Sequence, residues 1–273
     1  MSLQKLPLLD AFKWRHSVRT FTNEFSPEQE KIVQEIVKKA NEWKTPFNTE
    51  GKIGHTNRKI GSYGFVKGAS GSILDLIPKN YLNNKELKNK AIIDASFKAQ
   101  IAVMELSRYK IGTVWLGGSF NSKQSSLDFP ECKTICCIPY GIENPNIHMQ
   151  ARVLKFMVKP DKRKPFEQLF YNVDAKRPYT EETSKDLLPM FTALRSGPSA
   201  RNQQGWRFCV DGKEMHIYYN KKLLLASADI GIALGNLALL VKENNIEPKF
   251  TTKNNIPPSY LGGDYICSCI IRE

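Results

Sequence analysis

The sequence predicts a globular protein of mixed helices and strands, laid out as two pseudo-symmetric halves. Three observations carry this prediction. A helical pattern that starts at Ser26 recurs at Thr180, in a register that carries Asn48 onto Asn202 and Gly51 onto Gly205. A second helical stretch, Asp94 to Tyr109, recurs as Asp229 to Asn244, and the strand-like run Thr134–Ile138 recurs as Tyr265–Cys269. The repeating unit is too long for a solenoid, so two domains that share an interface are expected. With 273 residues, 41% of them hydrophobic, the chain can bury a sizeable core.

In chain order, Ser26 reads as the cap and Pro27 as the first turn of a helix whose apolar positions Val33, Ile36, Val37 and Ala40 fall at helical spacing. Asp94 and Asp229 each read as the cap of a helix rich in small and apolar residues, as expected where helices pack closely. Thr180-Glu181-Glu182 opens the second copy of the first helix, with Leu187, Met190, Phe191 and Leu194 facing inward; Pro189 kinks it or delays its start. Arg207–Val210 and Glu214–Tyr219 flank Asp211-Gly212, a hairpin signal. The junction is expected between Tyr171 and Lys176, giving halves 1–173 and 174–273. Residues 55–84, rich in glycine, lysine and serine, match the second half least and read either as a cover over a cleft or as a surface insertion.

Composition excludes several classes. No apolar run approaches the ~18 residues that cross a bilayer, and residues 1–12 lack the apolar core of a signal peptide, so no membrane partner and a cytoplasmic location are expected. The net charge of +13 invites a nucleic-acid reading, but the lysines are spread over the whole length with no nucleic-acid-binding motif beneath them. A basic solvated surface is expected instead, one that would draw in a phosphorylated cofactor or nicotinamide donor in a salt-dependent way. Cys132, Cys136, Cys137, Cys209, Cys267 and Cys269 lie in apolar strand-like contexts without metal-ligand or redox spacing, which predicts buried thiols, no disulfide and no metal.

The most informative segment is Gly197-Pro198-Ser199-Ala200-Arg201-Asn202-Gln203-Gln204-Gly205-Trp206. Its small and turn-forming residues let a backbone approach another group closely, and Asn202 and Gln204 offer paired donors and acceptors to a flat heterocycle. A plain helix-to-strand loop would also account for it. Beside it stand Arg15-His16-Ser17-Val18-Arg19, Gly112-Thr113-Val114-Trp115-Leu116-Gly117-Gly118 and Lys162-Arg163-Lys164-Pro165. Together the four segments resemble the FMN-dependent nitroreductase family, over residues 10 to 210.

That resemblance implies an α+β, nitroreductase-like fold, with an antiparallel sheet flanked by helices in each half. The family forms homodimers with two FMN sites at the interface, so this chain resembles such a dimer fused into one polypeptide, acting as a monomer. The first half keeps the basic and Gly-Gly elements and the second keeps the Pro-Ser-x-x-Asn loop, which implies one complete site and one degenerate one. Carried over residue by residue, Arg15, Ser17 and Arg19 would grip the phosphate and ribityl chain with His16 as a neighbour, Lys162 and Lys164 would lie beside them, and Arg163 is open between ligand and solvated turn. Trp115, Leu116, Gly117 and Gly118 would pass along the flavin edge, with the two glycines offering backbone N–H groups toward N5 and O4. Pro198, Ser199, Ala200, Asn202 and Gln204 would hold the ring from across the interface. Gly205 stands where the family has proline, which would loosen the loop, and Trp206 reads as core. No side chain is an obvious nucleophile or general acid, which suits flavin chemistry. The implied activity is ping-pong electron transfer from NAD(P)H through FMN to a small-molecule acceptor such as a nitroaromatic or quinone. A flavin-binding store or sensor without turnover is the alternative.

Overall fold

The computed structural model describes residues 4–22, 24–58, 60, 64–146 and 162–272. Two sheets and two long helices organise them. In the first half, β1 (Lys52–Thr56), β2 (Gly71–Pro78), β3 (Gly112–Thr113) and β4 (Cys132–Gly141) form an antiparallel sheet in the order β1-β2-β4-β3. In the second, β5 (Phe170–Asn172), β6 (Arg177–Pro178), β7 (Trp206–Asp211), β8 (Glu214–Tyr219), β9 (Phe250–Thr251) and β10 (Asp264–Ile270) are ordered β6-β5-β7-β8-β10-β9. This sheet is antiparallel except for β5, which runs parallel to β7 and so makes it mixed. Phe170–Asn172 falls before the expected 173/174 boundary yet is hydrogen-bonded into the second sheet.

Helices precede and follow the strands in one repeated order. Helix α1 is Leu8–Trp14, α2 is Pro27–Asn41 and α3 is Lys85–Arg108; a single turn, α4, covers Ser122–Ser125. Then come α5 (Glu181–Ser184), α6 (Leu188–Arg195) and α7 (Ala226–Glu243). The succession α2-β1-β2-α3-β3-β4 recurs as α6-β7-β8-α7-β9-β10, and the strand order β1-β2-β4-β3 recurs as β7-β8-β10-β9.

Local chemistry explains most boundaries. Helix α2 starts with a reciprocal box: Gln29 N donates to Ser26 Oγ at 3.2 Å while Ser26 N donates to Gln29 Oε1 at 2.8 Å, with Pro27 at the first position. The second copy is broken. Thr180 and Thr183 cap the short α5, Lys185 then takes a φ of 45°, and α6 starts only at Leu188 with Pro189 in its first turn, so the proline delays the helix. In the β7–β8 hairpin Asp211 pairs with Glu214, so the turn is Gly212-Lys213, with Gly212 at φ +53°.

Three expectations are corrected. Asp94 is not a cap: Asn84 accepts from Leu87 N, and α3 starts at Lys85, more than two turns earlier. Asp229 lies in the first turn of α7, inside the helix, after Leu225 at φ 56°. Both aspartates are buried and turn back onto a loop that precedes a strand, Asp94 accepting from Phe47 N and Thr49 N before β1 and Asp229 from Ala200 N before β7. Residues 55–84 are neither cover nor insertion as a whole, because they contain β2, whose positions from Gly71 to Ile77 are all buried in the first sheet.

Helices α3 and α7 cross in the centre of one core that spans both halves, with Phe97, Ile101, Leu234 and Leu237 among its buried members. The crossing is close because Gly231 and Gly235 face α3. A Cβ on Gly231 would stand 2.4 Å from Ile93 O, and one on Gly235 2.7 Å from Phe97 O. Alanine is the better helix former by roughly 1 kcal/mol, so in a loose crossing Gly231→Ala would stabilise. Here the backbone of α3 must retreat, and the variant is expected to lose about 1–3 kcal/mol in urea denaturation.

All six cysteines are buried free thiols, and burial pushes Cys137 up to about 11. Among the described residues no helix is long and apolar enough to cross a membrane, and no three His, Cys, Asp or Glu side chains are grouped to hold a metal ion.

Candidate functional site

Four sequence segments meet beside the α3–α7 crossing. The first is the basic stretch after α1. Ser17 bridges Thr113 in β3, and Val18 N donates to Thr113 O at 3.0 Å, which seats Arg15 and Arg19 next to the strand that leads into Trp115. Arg15 Nη2 donates to Ser196 O at a long 3.4 Å, and its Nε is buried with no partner among the described residues. Arg19 Nη1 donates to Ser17 O at 3.5 Å, and its Nε is likewise buried with no partner among the described residues. Burial, then the neighbouring Arg163 guanidinium, pushes Arg15 down to about 10, and burial lowers Arg19.

The loop Ser196–Gln204 holds unusual backbone. Arg201, Asn202 and Gln204 have φ of 52°, 56° and 43°, values that ordinary side chains avoid. Such strain persists only where the surroundings impose it. Arg163 clasps the loop from one side, donating to Ser196 O at 3.0 Å, Gly197 O at 2.8 Å and Asn202 Oδ1 at 2.8 Å. Asn202 Nδ2 donates to Lys162 O at 2.8 Å, and Ser199 Oγ accepts from Gln204 N at 2.9 Å. From the other side Asp229 accepts from Ala200 N at 2.9 Å and from the Tyr219 hydroxyl at 2.9 Å.

The third and fourth segments are Lys162–Lys164 and Trp115–Gly118. Trp115 Nε1 donates to Gln100 Oε1 at 3.2 Å. Gly117 lies against Leu225, the residue before α7, where a Cβ would come within 2.1 Å of Leu225 Cδ1; Gly118 is exposed and has open space around its Cα. This places the Gly-Gly turn beside the start of the helix whose Asp229 holds the loop.

Several residues stand apart from their expected roles. Gln204 is wholly buried, and its amide receives Lys164 N at 2.7 Å and donates to Arg195 O at 2.8 Å, so it ties the loop down from beneath. Leu116 is buried in the first-half core with both backbone groups bonded to Cys137, leaving nothing to offer a ligand. His16 is exposed and paired with Glu143 at 2.8 Å. Lys162 contributes its carbonyl to Asn202, and Lys164 points its ammonium at Gln204 O at 3.3 Å. Gly205 does not loosen the loop: a Cβ there would stand 2.6 Å from the Tyr219 ring, so glycine is required by packing. Trp206 is fully buried core.

Three contributors carry weaker sequence signals. Arg163 sits in a basic run that reads as a solvated turn. Gln100 and Asn236 are fully buried amides inside apolar helices, and a lone amide in a run such as Ile230–Val241 is the signal that would find Asn236. The arrangement can grip an anion. Two half-buried arginines each keep a buried Nε–H without a partner among the described residues, no carboxylate among those residues offsets either, and the loop that Arg15 meets is held in place. A phosphate-bearing flavin fits this donor set.

The sequence model of the family described as "Putative TM nitroreductase" matches residues 7–240. The chain belongs to this nitroreductase family, and its class is therefore that of an oxidoreductase. A solved structure described as a putative nitroreductase of Thermotoga maritima is 18% identical, with a TM-score of 0.64 over 98% of this chain and 94% of that one, and shares the fold. A putative NAD(P)H:FMN oxidoreductase of Staphylococcus epidermidis is 16% identical and covers 54% of this chain and 92% of its own, with a TM-score of 0.44. A putative nitroreductase of Exiguobacterium sibiricum, solved with FMN, is 12% identical and covers 56% and 98%, with a TM-score of 0.42. No curated protein matches the chain.

Proposed function

We propose that this protein is an FMN-dependent NAD(P)H oxidoreductase with one flavin site per chain, formed where the two halves meet. The observation that carries the reading is a pair of buried Nε donors without a partner among the described residues, on Arg15 and Arg19 of one basic segment, with Arg15 reaching a strained loop that is already held in place. Family membership supports the same reading. The recurrence of strand order supports an internal duplication, with the proposed halves 1–173 and 174–273, the first lending Phe170–Asn172 to the second sheet, and the proposed state is a monomer.

When bound, FMN supplies hydride and electron transfer between NAD(P)H and an electron-poor acceptor such as a nitroaromatic or a quinone, in a ping-pong sequence. The chain's residues do the rest. Arg15 and Arg19 offer permanently charged donors to phosphate oxygens, and Ser17 a short neutral one. Gly117 and Gly118 give backbone N–H groups an approach that a side chain would block, where they can stabilise negative charge on a reduced ring. Pro198, Ser199, Ala200 and Asn202 form the opposite wall. Arg163, Gln204 and Asp229 hold that wall in shape, and Trp115 backs the first.

The test is an absorbance titration of the purified protein with FMN, followed by anaerobic NADPH or NADH. One flavin bound per chain and bleached on reduction is the expected result. Flavin that binds but does not bleach would favour a store or sensor, and no binding would remove the assignment.

A further inference from the structure

A chain of amides runs through the helix crossing from one wall of the site to the other. Trp115 Nε1 donates to Gln100 Oε1 at 3.2 Å, and Gln100 Nε2 donates to Asn236 Oδ1 at 2.8 Å. An indole nitrogen can only donate. It therefore fixes the Gln100 amide with oxygen toward Trp115 and nitrogen toward Asn236, which in turn fixes the Asn236 oxygen toward Gln100. The polarity of the whole chain is set by Trp115.

At the far end, Asn236 Nδ2 is buried without a protein partner among the described residues. It lies 2.9 Å from the place a Cβ on Gly197 would occupy. Gly197 is also the loop residue whose carbonyl receives Arg163. Gln100 and Asn236 are both fully buried among apolar neighbours, where leucine would pack with no polar atom to satisfy. Their presence is not explained by core packing.

We propose that Gln100 and Asn236 are a positioning pair that sets the spacing between the Trp115–Gly118 wall and the Gly197 end of the loop. Trp115 orients Gln100, Gln100 orients Asn236, and the Asn236 amide is the stop against which Gly197 rests. The pair acts through other residues and does not itself meet a ligand. The consequence for flavin affinity rests on the function proposed above, whereas the consequence for the Trp115 indole does not.

Two measurements on the full chain test this. In the first, the Trp115 indole N–H signal is assigned by its loss in Trp115→Phe and followed in Asn236→Leu. It is expected to shift and to exchange faster with solvent, although Asn236 is not its partner. Gln100→Leu, which approaches from the other helix, is expected to do the same, and thermal melts identify which variants fold. An indole signal that stays put in a folded Asn236→Leu protein overturns the proposal. In the second, Trp115→Phe and Asn236→Leu are each expected to weaken FMN binding about tenfold, and the double variant by little more than either, as for residues in one network. Additive losses overturn the pair as a unit. A wild-type protein that binds no FMN defeats the functional assignment and leaves the indole measurement to decide the pair.

Discussion

A protein with Arg15 and Arg19 both changed to alanine is expected to bind FMN roughly 10²–10⁴-fold more weakly, since each charged hydrogen bond contributes about 1.5–3 kcal/mol. Its melting temperature is expected to hold or rise. Arg15 is lowered to about 10 by partial burial and then by the facing Arg163 guanidinium, and its bond to Ser196 O is long at 3.4 Å. Truncating it removes repulsion from the folded protein and little attraction. Arg15→Lys keeps a charge without the fork, so it should restore part of the affinity. Fluorescence titration with FMN and a thermal melt on the same samples check both halves of the prediction. A large drop in stability with flavin affinity intact would make these arginines structural.

The second large effect is on stability. Asp75 sits in the middle of β2, fully buried, accepting from the Ser96 hydroxyl through Oδ2 while Oδ1 has no partner among the described residues. Burial pushes it up to about 7 from 3.8, against a smaller downward pull from Ser96. The folded value lies above the unfolded one, so the unfolded chain releases this proton first. The contribution is therefore greatest at low pH, is lost as pH rises from about 4 to about 7, and is level above that. Asp229 is raised to about 7 by burial and shares the window, with Ala200 N and the Tyr219 hydroxyl pulling the other way. Asp75→Asn keeps an acceptor for Ser96 and cannot ionise. It is expected to be more stable than the parent by on the order of 2–4 kcal/mol at pH 8, with the gain shrinking toward pH 4. Urea denaturation at pH 4.5 and pH 8 measures it; a loss of equal size at both would show that the carboxylate contributes something asparagine cannot replace.

Legibility followed the range of the forces involved. The α2 cap, the β7–β8 hairpin and the C-terminal ends of α3 and α7 rest on neighbours in sequence, and all could be read there. The start of α3 could not, because Lys85–Lys90 is a mostly polar, partly exposed lead-in and Asp94, which has the chemistry of a cap, occupies an interior position. Strand β2 escaped because it is buried on both faces and has no alternation, with an acidic residue at its centre. Strand β5 joined the second sheet in parallel, a pairing that no local signal announces. At the candidate site, the segments Arg15–Arg19, Trp115–Gly118, Lys162–Lys164 and Pro198–Gln204 stand out in the sequence by composition, whereas the part each residue plays depends on its enclosure in the fold. Gln204 has the chemistry of a ligand contact, and only its enclosure beneath the loop shows that its amide ties Lys164 to Arg195.

Arg15 and the Ser196–Gln204 loop that it meets belong to one polypeptide, and under the proposed function this governs how the site responds to dilution and to mutation. In an assembly of separate subunits the cleft disappears as the subunits part, and every substitution enters it twice. Here the meeting of Arg15 with Ser196 is intramolecular, so its effective concentration does not change with the amount of protein in the tube. Under the proposed function, a substitution in either segment also enters the site only once, so the two segments are free to change independently.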